Sequence, residues 1–377
     1  MATLTDAQRA AGWKIVKLGD IAEIVMGTSP KGETVVDYPA GFPLLNGPSE
    51  FTDKYPQPVK WTEAGIRFSK PGDILFCVRA TLGKMNFSDR VYAIGRGLAA
   101  IRGESVESTL YIYYVFNAVM DEVISHANGT IYLSLTKSDI NNIFLPYPPE
   151  NELGRIVSIL GSLDDKIEAN NRIIQTVSDI SVKLVDNLDM FTATPNGVLS
   201  DIIEFSPRVR KPQGKEEYQY IDMNALPTQG AVISNILKKG SWTGAKFENG
   251  DTLLARITPC LENGKAALAM GLGSEPGCGS TEFIVMRAKS KDFLMLPYGI
   301  SRSEPFRERA IALMSGSTGR QRVKWQDLAA LPIRIPSEEE LARIGNIRSF
   351  FRQLENLRDE NIALSNMRNL LIKELIG

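Results

Sequence analysis

Nucleotide chemistry would begin at the glycines of this chain. The stretch "IGRGLAAI" sets Gly95, Gly97 and Ala100 at the spacing of a dinucleotide-binding turn, but such a turn opens a helix with a long apolar face, and none clearly follows. "GSEPGCGST" (residues 273–281) has the glycines of a phosphate-cradling loop without the lysine that would reach the phosphates. "YPPE" (residues 147–150) reverses the order of the Asn/Asp-Pro-Pro-aromatic signature of amino-methyltransferases, so it cannot hold an adenine amino group. The only histidine, His126 in "ISHANGT", has no serine or cysteine nucleophile motif to serve. Cys77, Cys260 and Cys278 are too scattered for a zinc cluster, and three cysteines without a secretion signal do not make a disulfide framework. They read as buried or incidental thiols. The acidic residues form no nuclease-like or metal-ligand cluster. The chain reads as non-catalytic, with no metal and no cofactor of its own.

Composition narrows the remaining classes. With 377 residues, 43% of them hydrophobic, the chain can form two or more domains that each bury a core. No window approaches eighteen consecutive apolar residues, and "MATLTDAQRAAGWK" lacks a basic region followed by an apolar one. Neither a membrane span nor a signal peptide is expected, and the expected location is the cytoplasm. The net charge of −1 is silent about nucleic acid, because local Lys/Arg patches bind phosphate without a bulk excess.

The elements that would position a site come in duplicate. "LPYPPENELGRI" (residues 145–156) returns as "LPIRIPSEEELARI" (residues 331–344), with Glu340 aligned on Glu152. "KLGDIAEI" (residues 17–24) returns as "VLSDIIEF" (residues 198–205), and "PGDILFCVR" (residues 71–79) as "NGDTLLARI" (residues 249–257). The order is the same in both halves while the offset varies, so the loops differ and the scaffold does not. The first part of each half mixes short β-type runs ("DILFCV", "AAI", "EFIVM") with Gly/Pro/Asn turns and brief helices such as residues 110–125, which reads as a compact α/β domain. The second part has no interior proline and reads as one long helix.

Both helices carry a heptad seam. In the first, Ile156, Leu160, Leu163, Ile167, Asn170, Ile174, Val177, Ser181, Leu184 and Leu188 alternate steps of four and three. In the second, Phe350, Leu354, Leu357, Asn361, Leu364, Arg368, Leu371 and Leu375 do the same. Each seam includes an asparagine, and a polar residue at such a position fixes register at a cost in stability. The expected geometry is an antiparallel coiled coil pairing Leu160, Leu163, Ile167, Asn170 and Ile174 with Leu354, Leu357, Asn361, Leu364 and Leu371. The helix starts have their own logic. Pro148 and Pro336 end the preceding strands, the acidic runs "ENE" and "SEEE" suit the first helical turn, and Ser337 with Glu340 has capping-box spacing.

Taken together, the repeated helix starts, "GDILFCVRATLGK", "GDTLLARITPCLENGK" and the helix "VSILGSLDDKIEANNRIIQTV" (residues 157–177) resemble the specificity subunit of type I restriction-modification systems, over nearly the whole chain from Trp13 onward. The resemblance implies an α+β chain with an internal pseudo-two-fold repeat. Its parts would be a target recognition domain at 1–149, a central spacer helix at 150–190, a second target recognition domain at 191–336 and a C-terminal spacer helix at 337–377. It also implies a subunit without an active site that reads a bipartite sequence in double-stranded DNA, the paired helices setting the unread gap. Its partners would be two methyltransferase subunits, which would bind S-adenosylmethionine and methylate an adenine, and motor-nuclease subunits. The family often has "LPPLxEQ" at the helix start; here Leu153 and Leu341 stand in place of the glutamine. A stand-alone coiled-coil scaffold with two ligand-binding domains is the competing reading, and an enzyme with an unrecognised site is a third.

Duplex DNA is read by Arg and Lys on phosphates and guanine and by Asn, Gln, Ser and Thr on adenine edges and backbone. Glycine-flanked basic loops recurring in both halves are the candidates. In the first they are Arg79, Thr81 and Lys84 in "RATLGK", Arg96, and Thr130, Tyr132 and Lys137 in "NGTIYLSLTK". In the second they are Arg256, Thr258, Asn263 and Lys265 in "ARITPCLENGK", and Ser317, Arg320, Arg322 and Lys324 in "GSTGRQRVK". "RVRK" (residues 208–211) and Lys238 with Lys239 are also basic.

Overall fold

The computed structural model describes residues 3–52, 54–79, 81–126, 134–317, 319–343 and 347–377. The chain divides into two compact units, the first made of Met1–Asp165 with Ser365–Gly377 and the second of Lys166–Leu364.

In the first unit, strand Ile74–Cys77 shows why the sheet lies where it does. All four residues are buried, and alternate side chains enter different cores, as the period of two requires. Ile74 and Phe76 pack with Ile24, Ile101, Ile112 and Phe116, whereas Leu75 and Cys77 pack with Leu45, Ile94 and Leu98. The strand sits in an antiparallel sheet of order Ala22–Met26, Leu98–Gly103, Ile74–Cys77, Met85–Phe87. Helix Val106–His126 lies on one face, with Phe116 5.4 Å from Phe76. A second sheet, of order Val35–Val36, Lys60–Thr62, Phe42–Leu45, Ala93–Ile94, contains one parallel pair, its last two strands.

The second unit has a sheet of order Ile203–Phe205, Phe283–Ala288, Thr252–Ala255, Ala266–Leu268. Its other four-stranded sheet runs Leu237–Lys239, Tyr218–Ile221, Gly277–Gly279, Ala245–Phe247, again with one parallel pair. Here Leu254 joins the core that contains Ile174, Val177 and Leu354, and Leu253 joins the one that contains Ile221 and Phe247.

The sequence-based element limits shift in places. The helix expected at 110–125 is Val106–His126; its first turn, "VEST", is polar, so apolar periodicity misses it. The central helix is Glu150–Asp186, followed by turns, rather than running to 190. At the C-terminus the helical stretches are Glu338–Arg343 and Ile347–Leu375. Gly95 and Gly97 form a turn that leads into strand Leu98–Gly103, not a helix, and a Cβ on either would collide with Asn46. In "GSEPGCGST" the backbone of Gly277–Gly279 is spent on the sheet ladder. Among the described residues no helix is long and apolar enough to cross a membrane.

Each long helix contributes to both units. In the first, Leu153, Ile156, Val157 and Leu160 share a core with Ile372 and Ile376, against which Leu371 and Leu375 pack. Leu153 thus points inward, as apolar packing demands, and Leu341 packs partly against the second unit's core. Asp164 accepts from Tyr114 Oη at 2.8 Å and from Arg368 Nη1 at 2.5 Å. In the second unit, the amide of fully buried Asn170 donates to Asn361 Oδ1 at 2.9 Å and to Glu360 at 2.8 Å, and Asn361 donates to Asn171 at 2.8 Å. Ile174, Leu354 and Leu357 lie in or against that unit's core, whereas Leu163, Ile167 and Leu364 are half-buried.

The two aligned glutamates anchor the helix starts differently. Glu152 accepts from the Trp13 indole at 3.0 Å. Glu340 completes a capping box with Ser337, whose amide donates to it at 2.8 Å while its hydroxyl accepts from the Glu340 amide at 3.2 Å. The Arg334 guanidinium binds the same carboxylate at 2.9 Å and 3.0 Å. Arg334 and the Ser337 amide hold the Glu340 carboxyl down to about 2, below its ordinary 4.5. A depressed carboxylate stabilises the fold fully above its unfolded value and loses that contribution as pH falls toward 2. The amide protection factors of residues 338–343, with the intrinsic pH dependence of exchange divided out, should therefore fall between pH 4.5 and 2 in the wild type, and Glu340→Gln should abolish that acid dependence. Equal pH profiles for the two proteins would contradict the assignment.

Candidate nucleic-acid interface

Two loops, one per unit, are built to the same plan. In the first, Gly72 at φ 89° turns the chain into strand Ile74–Cys77, a left-handed conformation that glycine adopts without strain. Asp73 is buried here, and both its oxygens accept from Arg102, Nε and Nη2 each at 2.7 Å. At the far end of the strand the chain doubles back, with the Cys77 amide donating to Lys84 O at 2.9 Å and Gly83 at φ 86°. Burial pushes the Cys77 thiol up to about 12, which leaves it inert at neutral pH.

The loop so formed carries Arg79, Thr81 and Lys84, all exposed. Two other segments join it. Arg79 bridges Ser134 and the Leu135 amide donates to Val78 O at 3.0 Å, which brings in exposed Lys137 at the start of helix Lys137–Asn141. Thr136 caps that helix through a capping box with Asp139. The Val78 amide donates to Gly97 O at 2.9 Å, which brings in exposed Arg96. Arg79, Lys84 and Arg96 have no ion-pair partner among the described residues. Thr130 and Tyr132 lie outside the described residues.

In the second unit Gly250, at φ 96°, precedes Asp251, and Arg287 binds both oxygens of this buried carboxylate, again at 2.7 Å each. Burial raises the Asp251 carboxyl above its ordinary value, and Arg287 opposes the shift. Strand Thr252–Ala255 then opens into the loop of residues 256–265, closed by the Ala255 amide donating to Lys265 O at 3.0 Å. A second segment is again laid beside it: Ile257 bridges Arg322, and the Thr258 amide donates to Gln321 O at 3.0 Å.

Several of the expected donors are spent on holding this loop. Arg322 clamps Glu282 at 2.7 Å, Arg256 lies 3.4 Å from the same carboxylate, and Arg322 holds the Glu282 carboxyl below its ordinary value. Lys265 donates to Met223 O at 3.1 Å. The Thr258 hydroxyl is buried without a partner. Asn263, Ser317, Arg320 and Lys324 remain exposed. Sequence reasoning missed the residues that brace these loops. Arg102 and Arg287 fix the "GD" aspartates, while Arg302 binds Gly264 O and Arg307 donates to Glu262 O at 2.7 Å. The repeated "GD" was a signal for the aspartates, but their arginine partners become visible only with strand pairing.

The family profile described as the type I restriction modification DNA specificity domain matches residues 11–179. A putative type I restriction enzyme specificity subunit, MjaX, from Methanocaldococcus jannaschii is 31% identical over 180 residues, covering 47% of this chain and 42% of the relative. The EcoEI specificity subunit of Escherichia coli is 30% identical over 186 residues, covering 48% of this chain and 31% of the relative. The chain thus spans less than half the length of these curated relatives. The crystal structure of a type I restriction-modification S subunit from M. genitalium aligns over 100% of this chain and 98% of its own, with a TM-score of 0.55 and 14% identity, a likeness of fold.

Proposed function

We propose that this chain, whose residues 11–179 match the type I restriction modification DNA specificity domain, is the non-catalytic DNA-recognition subunit of a type I complex. Each unit supplies one target recognition domain, within residues 1–149 and 191–336, and each reads one half of a bipartite site. The observation that carries this reading is the repeated loop plan: a strand anchored by a buried Asp–Arg pair opens into a glycine-flanked basic loop, and a second basic segment is laid beside it. Duplication lets one chain present two similar faces to DNA, as dimers do on palindromes, while differing loops let the half-sites differ. Helices Glu150–Asp186 and Ile347–Leu375 form an antiparallel coiled coil that sets the unread gap, and the Asn170–Asn361 pair supports this by locking register. The same helices recruit two methyltransferase subunits and, through the assembled complex, the motor-nuclease subunits. S-adenosylmethionine belongs to the methyltransferase, which transfers its methyl group to an adenine.

Binding to duplex DNA at several salt concentrations tests the reading. The full chain with its methyltransferase subunit should bind with a steep salt dependence and a sequence preference. The triple variant R79A/K84A/R96A should weaken binding by at least tenfold and flatten the slope, roughly 0.9 per phosphate contact removed. Absence of any sequence preference in the wild type at every salt concentration would sink the proposal.

A further inference from the structure

The second unit carries a basic surface that the two loops do not use. On the sheet containing Tyr218–Ile221, lysines are paired with rings. Lys239 Nζ lies 3.6 Å from the Tyr220 ring, Lys211 Nζ 5.2 Å from Tyr218, and Lys246 Nζ 5.2 Å from Trp242. The Tyr218 and Trp242 rings are themselves 5.3 Å apart. On the exposed strand Leu237–Lys239, Lys239 shares the face of its partner Tyr218, whereas Lys238 pairs with Gln219 and points to the other face. A ring attracts an ammonium through its quadrupole but does not neutralise it. The rings therefore hold the lysines paired with them in place, charge intact. Among the described residues Lys211, Lys238 and Lys239 form no ion pair, whereas nearby Lys215 is paired with Glu275 at 2.7 Å.

This surface is continuous with the candidate interface. The parallel strands Tyr218–Ile221 and Gly277–Gly279 end where the loop is attached, through Lys265 on Met223 O and through the Arg256 amide on Glu282 O. Lys239 pairs with Tyr218, three residues before the strand end, so the lysines begin on the order of 10 Å from that attachment. The corresponding sheet of the first unit exposes Phe42, with Tyr38 and Val59 exposed just outside its strands, and carries no lysine–ring pair among the described residues.

We infer that the lysine–aromatic face formed by Lys211, Lys239, Tyr218, Tyr220 and Trp242 binds the phosphate backbone of duplex DNA flanking the half-site read by the second unit. The inference rests on the DNA-recognition reading and extends its footprint on one side only. Contacts of this kind position the duplex and carry no base information.

The test uses the full chain with its methyltransferase subunit, a duplex containing the methylated site and a scrambled duplex of equal length. K211A/K239A should lower affinity for both duplexes by the same factor, with the salt slope shallower by roughly 2. The double Lys→Arg variant at the same positions should restore the slope. An unchanged slope in the alanine variant overturns the inference while leaving DNA recognition standing. So does a change in the ratio between the two duplexes, or a defect confined to assembly with the methyltransferase. A wild-type complex that binds neither duplex at any salt overturns the DNA reading itself.

Discussion

Arg287→Ala is expected to destabilise the second unit by about 3–5 kcal/mol, the cost of leaving a buried carboxylate without its partner. Asp251 is buried, and its remaining hydrogen bond, from the Glu248 amide at 2.7 Å, cannot neutralise a charge. Burial already pushes its carboxyl toward the neutral form, so losing Arg287 should drive protonation or unfolding. Arg102→Ala should have a comparable effect in the first unit, because Asp73 is equally enclosed and Glu23, the other partner of Arg102, is exposed. Replacing both members of one pair by apolar residues of similar volume should recover most of the loss. Urea denaturation of the full chain measures this, with one transition moving to lower denaturant in each single variant. A shift equivalent to less than ~1 kcal/mol, the range of exposed ion pairs, would remove these pairs as the anchors of the loop-bearing strands.

Four residues inserted after Asp165, together with four before Ser365, are expected to lengthen the unread gap by about two base pairs and leave both half-sites unchanged. Four helical residues add ~6 Å, and the duplex rises ~3.4 Å per base pair. Insertion into one helix alone should instead be disruptive. Asp164 bonds Arg368 within the first unit, and Asn170 bonds Asn361 within the second, so a one-sided insertion cannot keep both pairs in register. Mapping methylated adenines in a host carrying each variant with its methyltransferase reads the outcome. An unchanged gap after the paired insertion would sink the ruler proposal.

The recurring anchors were legible because each has a local cause. "GD" recurs since a left-handed turn needs glycine and the buried pair needs an aspartate just after it. The proline-ended strand and acidic helix start recur because extended backbone and helix N-termini impose composition locally. The heptad seams run through buried Leu354 and Asn170. They did not foresee buried Arg358, held against Gly271 where a Cβ would lie 2.1 Å from its Nη1, because periodicity ranks an arginine as exposed.

What the amino-acid sequence determined by itself was therefore whatever depends on neighbours along the chain: the recurring anchors, the helix starts, the strands and the two sets of basic loops. What only the tertiary structure decided was which of those basic residues are free. Arg256, Arg322 and Lys265 look like DNA donors in sequence, yet they are bound to Glu282 and to Met223 O, whereas Arg79, Lys84 and Arg96 have no such partner among the described residues. An arginine's charge is written in the sequence, but its availability depends on carboxylates and carbonyls brought beside it by strand pairing across tens of residues. Register of that kind is set by long-range packing, and no local spacing encodes it.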